Sequence, residues 1–265
     1  RRVLAGHPLA IARGYLLVSL VFLMLGGLLA LYIRWQLAFP GKEIPVWLAG
    51  PLAGDNLAPD GVIGPDGYLV IMTMHATYMI YFAILPLVVG FFANLLVPLQ
   101  IGARSHAFPR LATLSLVLTV IAGLVMVGTF FVEGGGASTG WTAYPPLSAV
   151  PSYTSPGSAQ DIWCIAILID GMGLILGSVN ILGTIITRRA SGMTLLRMPL
   201  TVWSQMVTSI LILLSIPVLA VAIGMLLMDR NAGTSFFLPS GLSLSGTPIE
   251  GLKGGGAPLL WQHLF

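Results

Sequence analysis

YLVIMTMHATYMIYFAILPLVVGFFANLL, residues Tyr68–Leu96, runs for 29 residues without one Asp, Glu, Lys or Arg. A bilayer core of about 30 Å is crossed by about 20 apolar residues in α-helical form, so this stretch is long enough to span it. Four further runs are long and apolar enough to do the same: Tyr15–Leu37, Leu111–Val132, Ile162–Thr187 and Val202–Met228. Over its 265 residues the chain is 56% hydrophobic and 8% charged, with a mean hydropathy of +0.94. A soluble domain is about a quarter charged. The expected fold class is therefore all-α: a polytopic membrane protein in a single membrane domain, with helices about 15–37, 68–96, 111–132, 162–187 and 202–228. A sixth apolar segment, APLLWQHLF, begins about residue 259 after a Gly-rich loop at Gly251 and Gly254–Gly256. The first run is too long for a cleaved signal peptide and lacks a small-residue cleavage site. The lone Cys164 excludes an internal disulfide and reads as packing. Membrane lipid is an expected partner and nucleic acid is not.

The charges are segregated along the chain. Arg1, Arg2 and Arg13 precede or open the first run, Arg104 and Arg110 lie in the second connection, and Arg188, Arg189 and Arg197 in the fourth, with no acid among them. The alternate connections hold Lys42, Glu43, Asp55, Asp60 and Asp66, then Glu133 and Asp161, then Asp229, Arg230, Glu250 and Lys253. Basic residues concentrate on the cytoplasmic side of membrane proteins, so five alternating crossings with a cytoplasmic N-terminus are expected.

Inside the runs the ionisable groups that stand out are Arg34, His75 and Asp170. Such groups are costly in lipid, about 2.5–3.5 kcal/mol for a central arginine or aspartate on insertion scales, and so mark candidate sites. His75 lies about 10 Å from the outer end of its helix at 1.5 Å per residue. Arg34 is near the outer end of the first helix, so the two can share a level. Arg34 alone also reads as a snorkelling interfacial residue, and a membrane histidine as a hydrogen-bonded packing residue. At α-helical spacing His75, Met79, Phe82 and Pro86 form one stripe. With Gly26, Gly27 and Ala76 it would admit a flat apolar ligand with a metal at its centre, although glycine pairs also serve helix contacts.

From about Gly14 to its end the chain resembles the N-terminal half of subunit I of the heme-copper oxidases, the catalytic subunit of cytochrome c and quinol oxidases. The matching pieces keep the family's order: LYIRWQLAFPG (31–41), MHATYMIYFAILPLVVGFFANLLVPLQIGA (74–103), AFPRL (107–111), GGGASTGWTAYPPLS (134–148), GSVNILGTII (177–186), MPLTVWSQMVTSILILLSIPVLAVAIGMLLMDRN (198–231) and WQHLF (261–265). The resemblance implies a twelve-helix fold that reduces oxygen to water with electrons from cytochrome c or quinol, coupled to proton uptake or translocation. It makes His75 an axial ligand of a low-spin heme, with heme A the expected macrocycle. Arg34 then meets a polar ring substituent such as a formyl, Met79 lies against the heme, and Trp141, with Tyr144 beside it, lies near the propionates. Implied partners are a copper-bearing or quinol-facing subunit II and a subunit III, in an energy-transducing membrane such as a prokaryotic plasma membrane.

In that family the second axial histidine and the ligands of the high-spin heme and copper come after helix five, and this chain contains none of them. The expectation is a portion of a longer chain, or a subunit completed by another. In IGARSHAFPRL, residues 101–111, Ser105 stands where members with the D proton pathway carry an aspartate. Asn94 and Asn180 match asparagines of that pathway, while its helix-four serines are replaced by Gly173 and Leu174. His106 could collect protons, since an unperturbed imidazole titrates near neutrality, or simply be solvated. Asp170, in ILIDGMG, reads as a neutral or hydrogen-bonded acid facing other helices, or as a proton-route residue of this branch. The rival reading is a cofactor-free structural subunit or degenerate paralogue. A transporter would show an internal repeat, and none is evident.

Overall fold

The computed structural model describes residues 6–48, 57–154, 156–244, 246–249 and 254–265. Arg1, Arg2, Asp55, Glu250, Gly251 and Lys253, used above for the charge pattern and the last loop, lie outside the described residues. Among the described residues five helices are long and apolar enough to cross a membrane: α1 Pro8–Ala38, α2 Pro65–Ile101, α3 Pro109–Phe131, α4 Ala159–Thr187 and α5 Leu200–Asn231. A short helix, α6 Leu259–Leu264, follows, and a two-residue hairpin pairs β1 Ser243–Leu244 with β2 Thr247–Pro248. The polytopic helical architecture is thus the one that hydropathy indicates. The helices begin earlier than their apolar runs because α1, α2 and α3 each start on a proline. Its fixed φ suits the first turn, where its missing N–H would be unpaired in any case. Gly102 ends α2 in the left-handed conformation, φ 72°, and the Ala103 N–H closes back on Pro98 O at 2.8 Å, a cap that favours glycine.

Helix α2 departs from regular α winding. Tyr78–Ile84 and Pro86–Phe92 are π-helical, with i→i+5 bonds. Each residue there advances by less than the 100° of an α-helix, so Phe82 and Pro86 drift off the face that carries His75. The four-residue stripe expected from α spacing is therefore split. Phe82 is fully buried and its ring lies 4.9 Å from that of Phe22, so it serves packing.

The chain divides into two compact units, and the division falls within every long helix. Unit 1 comprises Arg1–Leu23, Met79–Gly123 and Ile167–Pro217. One of its cores gathers Ala93, Val97, Ile101, Ile181, Ile185, Met198 and Val202; another gathers Ile11, Tyr15, Ala112 and Leu116. Helix α4 carries Gly173 and Gly177, one turn apart, against α3. A Cβ at Gly173 would lie 3.1 Å from Ser115 O, and one at Gly177 2.8 Å from Ser115 Oγ. Small residues at this spacing let helix backbones approach in lipid.

Unit 2 comprises Met24–Tyr78, Leu124–Ala166 and Val218–Phe265. Asp229, at the end of α5, accepts the N–H of Phe236 and that of Phe237, both at 2.8 Å, and so shapes the turn that follows. Arg230 donates to Asp161 of α4 through Nε and to Ser148 O through Nη1 at 2.8 Å. The charge pattern follows the same division: Arg13, Arg104, Arg110, Arg188, Arg189 and Arg197 belong to unit 1, whereas Lys42, Glu43, Asp60, Asp66, Glu133, Asp161, Asp229 and Arg230 belong to unit 2.

The Arg230 side chain is 2% exposed and that of Asp161 23%, so removing the cation strands a largely desolvated carboxylate. Breaking a buried pair on one side costs about 3–5 kcal/mol. Arg230→Met should cost about 3 kcal/mol in the thermal unfolding of the complete subunit in detergent, with Arg230→Met/Asp161→Leu recovering most of it. An unchanged unfolding midpoint in the single variant would show that the pair does not hold unit 2.

Candidate functional site

His75 sits on the α-helical part of α2, in unit 2, with its ring half-buried. Its Nδ1 lies 2.8 Å from the carbonyl oxygen of Gly26 on α1. A carbonyl only accepts, so Nδ1 carries the proton and donates. In the tautomer with its single proton on Nδ1, Nε2 has a lone pair for a ligand bond. A second hydrogen bond that orients the imidazole in this way is the usual partner of metal-ligating histidine. A Cβ added at Gly27 would meet nothing within 4 Å, so among the described residues no neighbouring helix explains that glycine. Among the described residues no three His, Cys, Asp or Glu side chains converge to hold a metal by themselves; the site offers one nitrogen.

Arg34 is exposed and lies eight residues beyond Gly26 on α1, about 12 Å along the helix. The residue of α1 at the level of His75 is therefore Gly26 and not Arg34, which corrects the shared level expected from hydropathy depth. Met79 is half-buried one turn after His75.

The loop that carries Trp141 and Tyr144 is fastened within unit 2 at several points. The Gly140 N–H donates to Thr73 Oγ1 at 2.9 Å, two residues from His75. Thr139 Oγ1 donates to Gln160 Oε1 at 2.9 Å, and Trp261 Nε1 donates to Thr142 O at 3.0 Å. Gly136, at φ 138°, lies where a Cβ would come within 2.7 Å of Val70 and 3.2 Å of Met74. The Trp141 ring is half-buried, 6.1 Å from Phe265, while Tyr144 is 45% exposed.

The proton-pathway candidates all fall in unit 1, but they divide into two groups. The loop of residues 102–108 is held against α4: Ala107 N–H donates to Thr184 Oγ1 at 3.0 Å and Phe108 N–H to Asn180 Oδ1 at 3.1 Å. Asn180 is thus occupied as an anchor. Ser105 in that loop is half-buried, and Arg104 beside it is exposed. His106 is 0% exposed and neither ring nitrogen has a partner among the described residues. Burial, and next the charge of His7, lower its pKa from 6.5 to about 4. His106 is therefore a neutral buried ring at pH 7, and neither the solvated loop histidine nor the proton collector of neutral pH that its sequence position suggests. The second group is Asn94 and Asp170, which border one small cavity with Tyr15, Ser115 and Thr119.

Sequence reasoning missed Thr73, Tyr15, Ser115 and the Gly26 carbonyl. Ser115 and Thr119 left a faint signal, two hydroxyls at i and i+4 on an apolar helix. A backbone carbonyl leaves none.

The family model described as Cytochrome C and Quinol oxidase polypeptide I matches residues 10–265. A probable cytochrome c oxidase subunit 1-beta of Nocardia farcinica is 39% identical over 251 residues, 95% of this chain and 37% of that protein. A putative cytochrome c oxidase subunit 1-beta of Streptomyces avermitilis is 40% identical over 251 residues, 95% of this chain and 38% of that protein. A probable subunit 1-alpha of the same organism is likewise 40% identical over 251 residues, 95% of this chain and 37% of its own length. The chain spans less than two fifths of the length of these relatives.

Acid should destabilise the protein through His106. Its folded pKa lies below the ordinary 6.5, so the unfolded chain takes the proton first. The contribution is complete above about pH 6.5 and is lost as the pH falls towards about 4, on the order of 3 kcal/mol in all. Unfolding midpoints of the complete subunit measured between about pH 7 and about pH 5 should fall less steeply in His106→Gln than in the natural sequence. Parallel pH profiles would overturn the assignment.

Proposed function

Because the chain belongs to the cytochrome c and quinol oxidase polypeptide I family, we propose that it is part of the catalytic subunit of a heme-copper terminal oxidase and that His75 supplies one axial ligand of its low-spin heme. The observation that carries the reading is the Nδ1–H bond from His75 to Gly26 O, which leaves Nε2 as the free donor. The residues present fit such a group. The imidazole is half-buried with Nδ1 engaged by Gly26 O, and a Cβ at the next residue of α1, Gly27, would meet no described atom within 4 Å.

When bound, the heme supplies one-electron redox chemistry, and its potential is set by axial ligands, hydrogen bonds and burial. Gly26 orients His75 and raises its basicity through the shared proton. Met79 supplies apolar contact. Arg34 is the cation available to a polar ring substituent, the formyl of heme A in this reading, and would withdraw electron density from it. The loop fastened to Thr73 carries Trp141 and Tyr144, which would lie near the propionates of such a heme. The second axial histidine, and the ligands of the high-spin heme and copper, are assigned to the remainder of the subunit.

In this reading the full subunit reduces oxygen to water with electrons from cytochrome c or quinol. It works with a copper-bearing or quinol-facing subunit II and a subunit III, in an energy-transducing membrane such as a prokaryotic plasma membrane. In this reading the N-terminus and the basic connections lie on the cytoplasmic side, which the segregation of arginines along the sequence supports. Protons would enter there, past Ser105 and His106 and along Asn180, Asn94 and Asp170. Neither Ser105 nor the neutral His106 supplies a charged collecting group.

His75→Ala in the complete subunit should abolish the low-spin heme band of the reduced-minus-oxidised spectrum while the protein still assembles. A low-spin band retained in the variant would overturn the ligand assignment, whereas a natural subunit without any heme band would favour a cofactor-free structural subunit.

A further inference from the structure

Unit 1 contains a single carboxylate side chain, Asp170 of α4. It is 1% exposed, its carboxyl oxygens complete no hydrogen bond of good geometry among the described residues, and the Thr119 hydroxyl is the polar group set against them. It borders a cavity of about 20 Å3 whose polar walls are Tyr15 from α1, Asn94 from α2, and Ser115 and Thr119 from α3. No Lys, Arg or His lines that cavity. The titratable groups that its charge would reach are the phenols of Tyr15 and Tyr81. Helix α5 meets α4 beside it through the apolar Ile216, next to Gly171. A carboxylate anion here would be a buried charge without a cation, at a desolvation cost of several kcal/mol. The group is therefore a neutral acid with one O–H to donate.

Counting protons fixes the directions of the surrounding bonds. Ser115 Oγ lies 2.6 Å from Tyr15 Oη and 2.7 Å from Gly173 O. The carbonyl can only accept, so the one serine proton goes to Gly173 and Tyr15 is the donor to Ser115. Asn94 donates through Nδ2 to Gly90 O at 2.7 Å, which leaves Oδ1 as a buried acceptor without a partner. The cavity is thus bordered by acceptors, Asn94 Oδ1 and the remaining lone pairs of Tyr15 Oη, and by the donor Asp170 O–H. One water, which needs about 10–15 Å3 and two to four polar partners, supplies the two donors and one acceptor that this set requires.

We propose that Asp170, Asn94 and Tyr15 form a proton-holding site inside unit 1, in which the neutral acid donates to one water and that water donates to Asn94 Oδ1 and Tyr15 Oη. The site gives the proposed proton uptake a carboxyl within the helices. It rests on that reading for its role and not for its existence.

Infrared spectroscopy of the complete oxidase, with exchange into D2O, tests it. The natural sequence should show a neutral-carboxyl C=O band that shifts on deuteration. Asp170→Asn should remove the band. Tyr15→Phe and Asn94→Leu each keep the acid but take an acceptor from the water, so each should move the band without abolishing it. Those two variants carry the test by themselves if Asp170→Asn does not assemble. The proposal is overturned if the Asp170→Asn spectrum matches that of the natural sequence in this region. It is overturned equally if both Tyr15→Phe and Asn94→Leu leave the band in place. The His75→Ala optical spectrum does not bear on the carboxyl band, so this site and the heme ligand fail separately.

Discussion

Lipid offers no hydrogen bonds, so every polar group that the sequence places within a membrane helix must find its partner in the chain or in another buried molecule. The structure meets this constraint in a graded way. Thr73, Thr77, Asn94 and Thr184 donate to carbonyls four residues back on their own helices, at 2.7–2.8 Å, and so stay satisfied without reaching a neighbour. Their second capacity, as acceptors, is then free to tie other elements: Thr73 takes the Gly140 N–H, Thr77 the Trp163 indole at 3.0 Å, and Thr184 the Ala107 N–H. The helical hydroxyls are the nodes at which loops and helices are joined.

The same economy places the candidate heme ligand. His75 has two ring nitrogens, and Gly26 engages one of them. What remains is a single oriented donor on a helix whose next turn changes to π winding. π-turns within α-helices are frequent at functional sites, and here the change releases Phe82 to packing while His75 keeps its own direction. The loop bearing Trp141 is fastened two residues away, at Thr73. The candidate ligand and the loop that would flank a heme in the proposed reading thus share one short segment of backbone.

Helix number, span and charge segregation were legible because they are collective properties: many residues report them, and no single contact decides them. His75 was legible because an imidazole is rare in such a run. The level of Arg34 was misjudged because hydropathy fixes depth only to within a few turns, and the carbonyl that meets His75 belongs to a glycine with no side chain to announce it. His106 was misjudged for a different reason. Loop position suggests water, but the bonds from Ala107 and Phe108 to α4 press that loop onto the helix and close it over the ring. Arg230 and Asp161 counted in the sequence only as markers of sidedness. Their pairing became visible when the end of α5 and the start of α4 came together within unit 2.

The glycines of α4 carry one more consequence. Gly177 has room for a hydrogen and little else, because Ser115 Oγ lies 2.8 Å from where its Cβ would be. That same oxygen receives the Tyr15 proton and passes its own to Gly173. Positions 115 and 177 are therefore not free to vary independently. A lineage that gained a methyl group at 177 before losing the hydroxyl at 115 would break the Tyr15 bond, whereas the reverse order would not meet that clash. The contact sets an order in which the two helices can change.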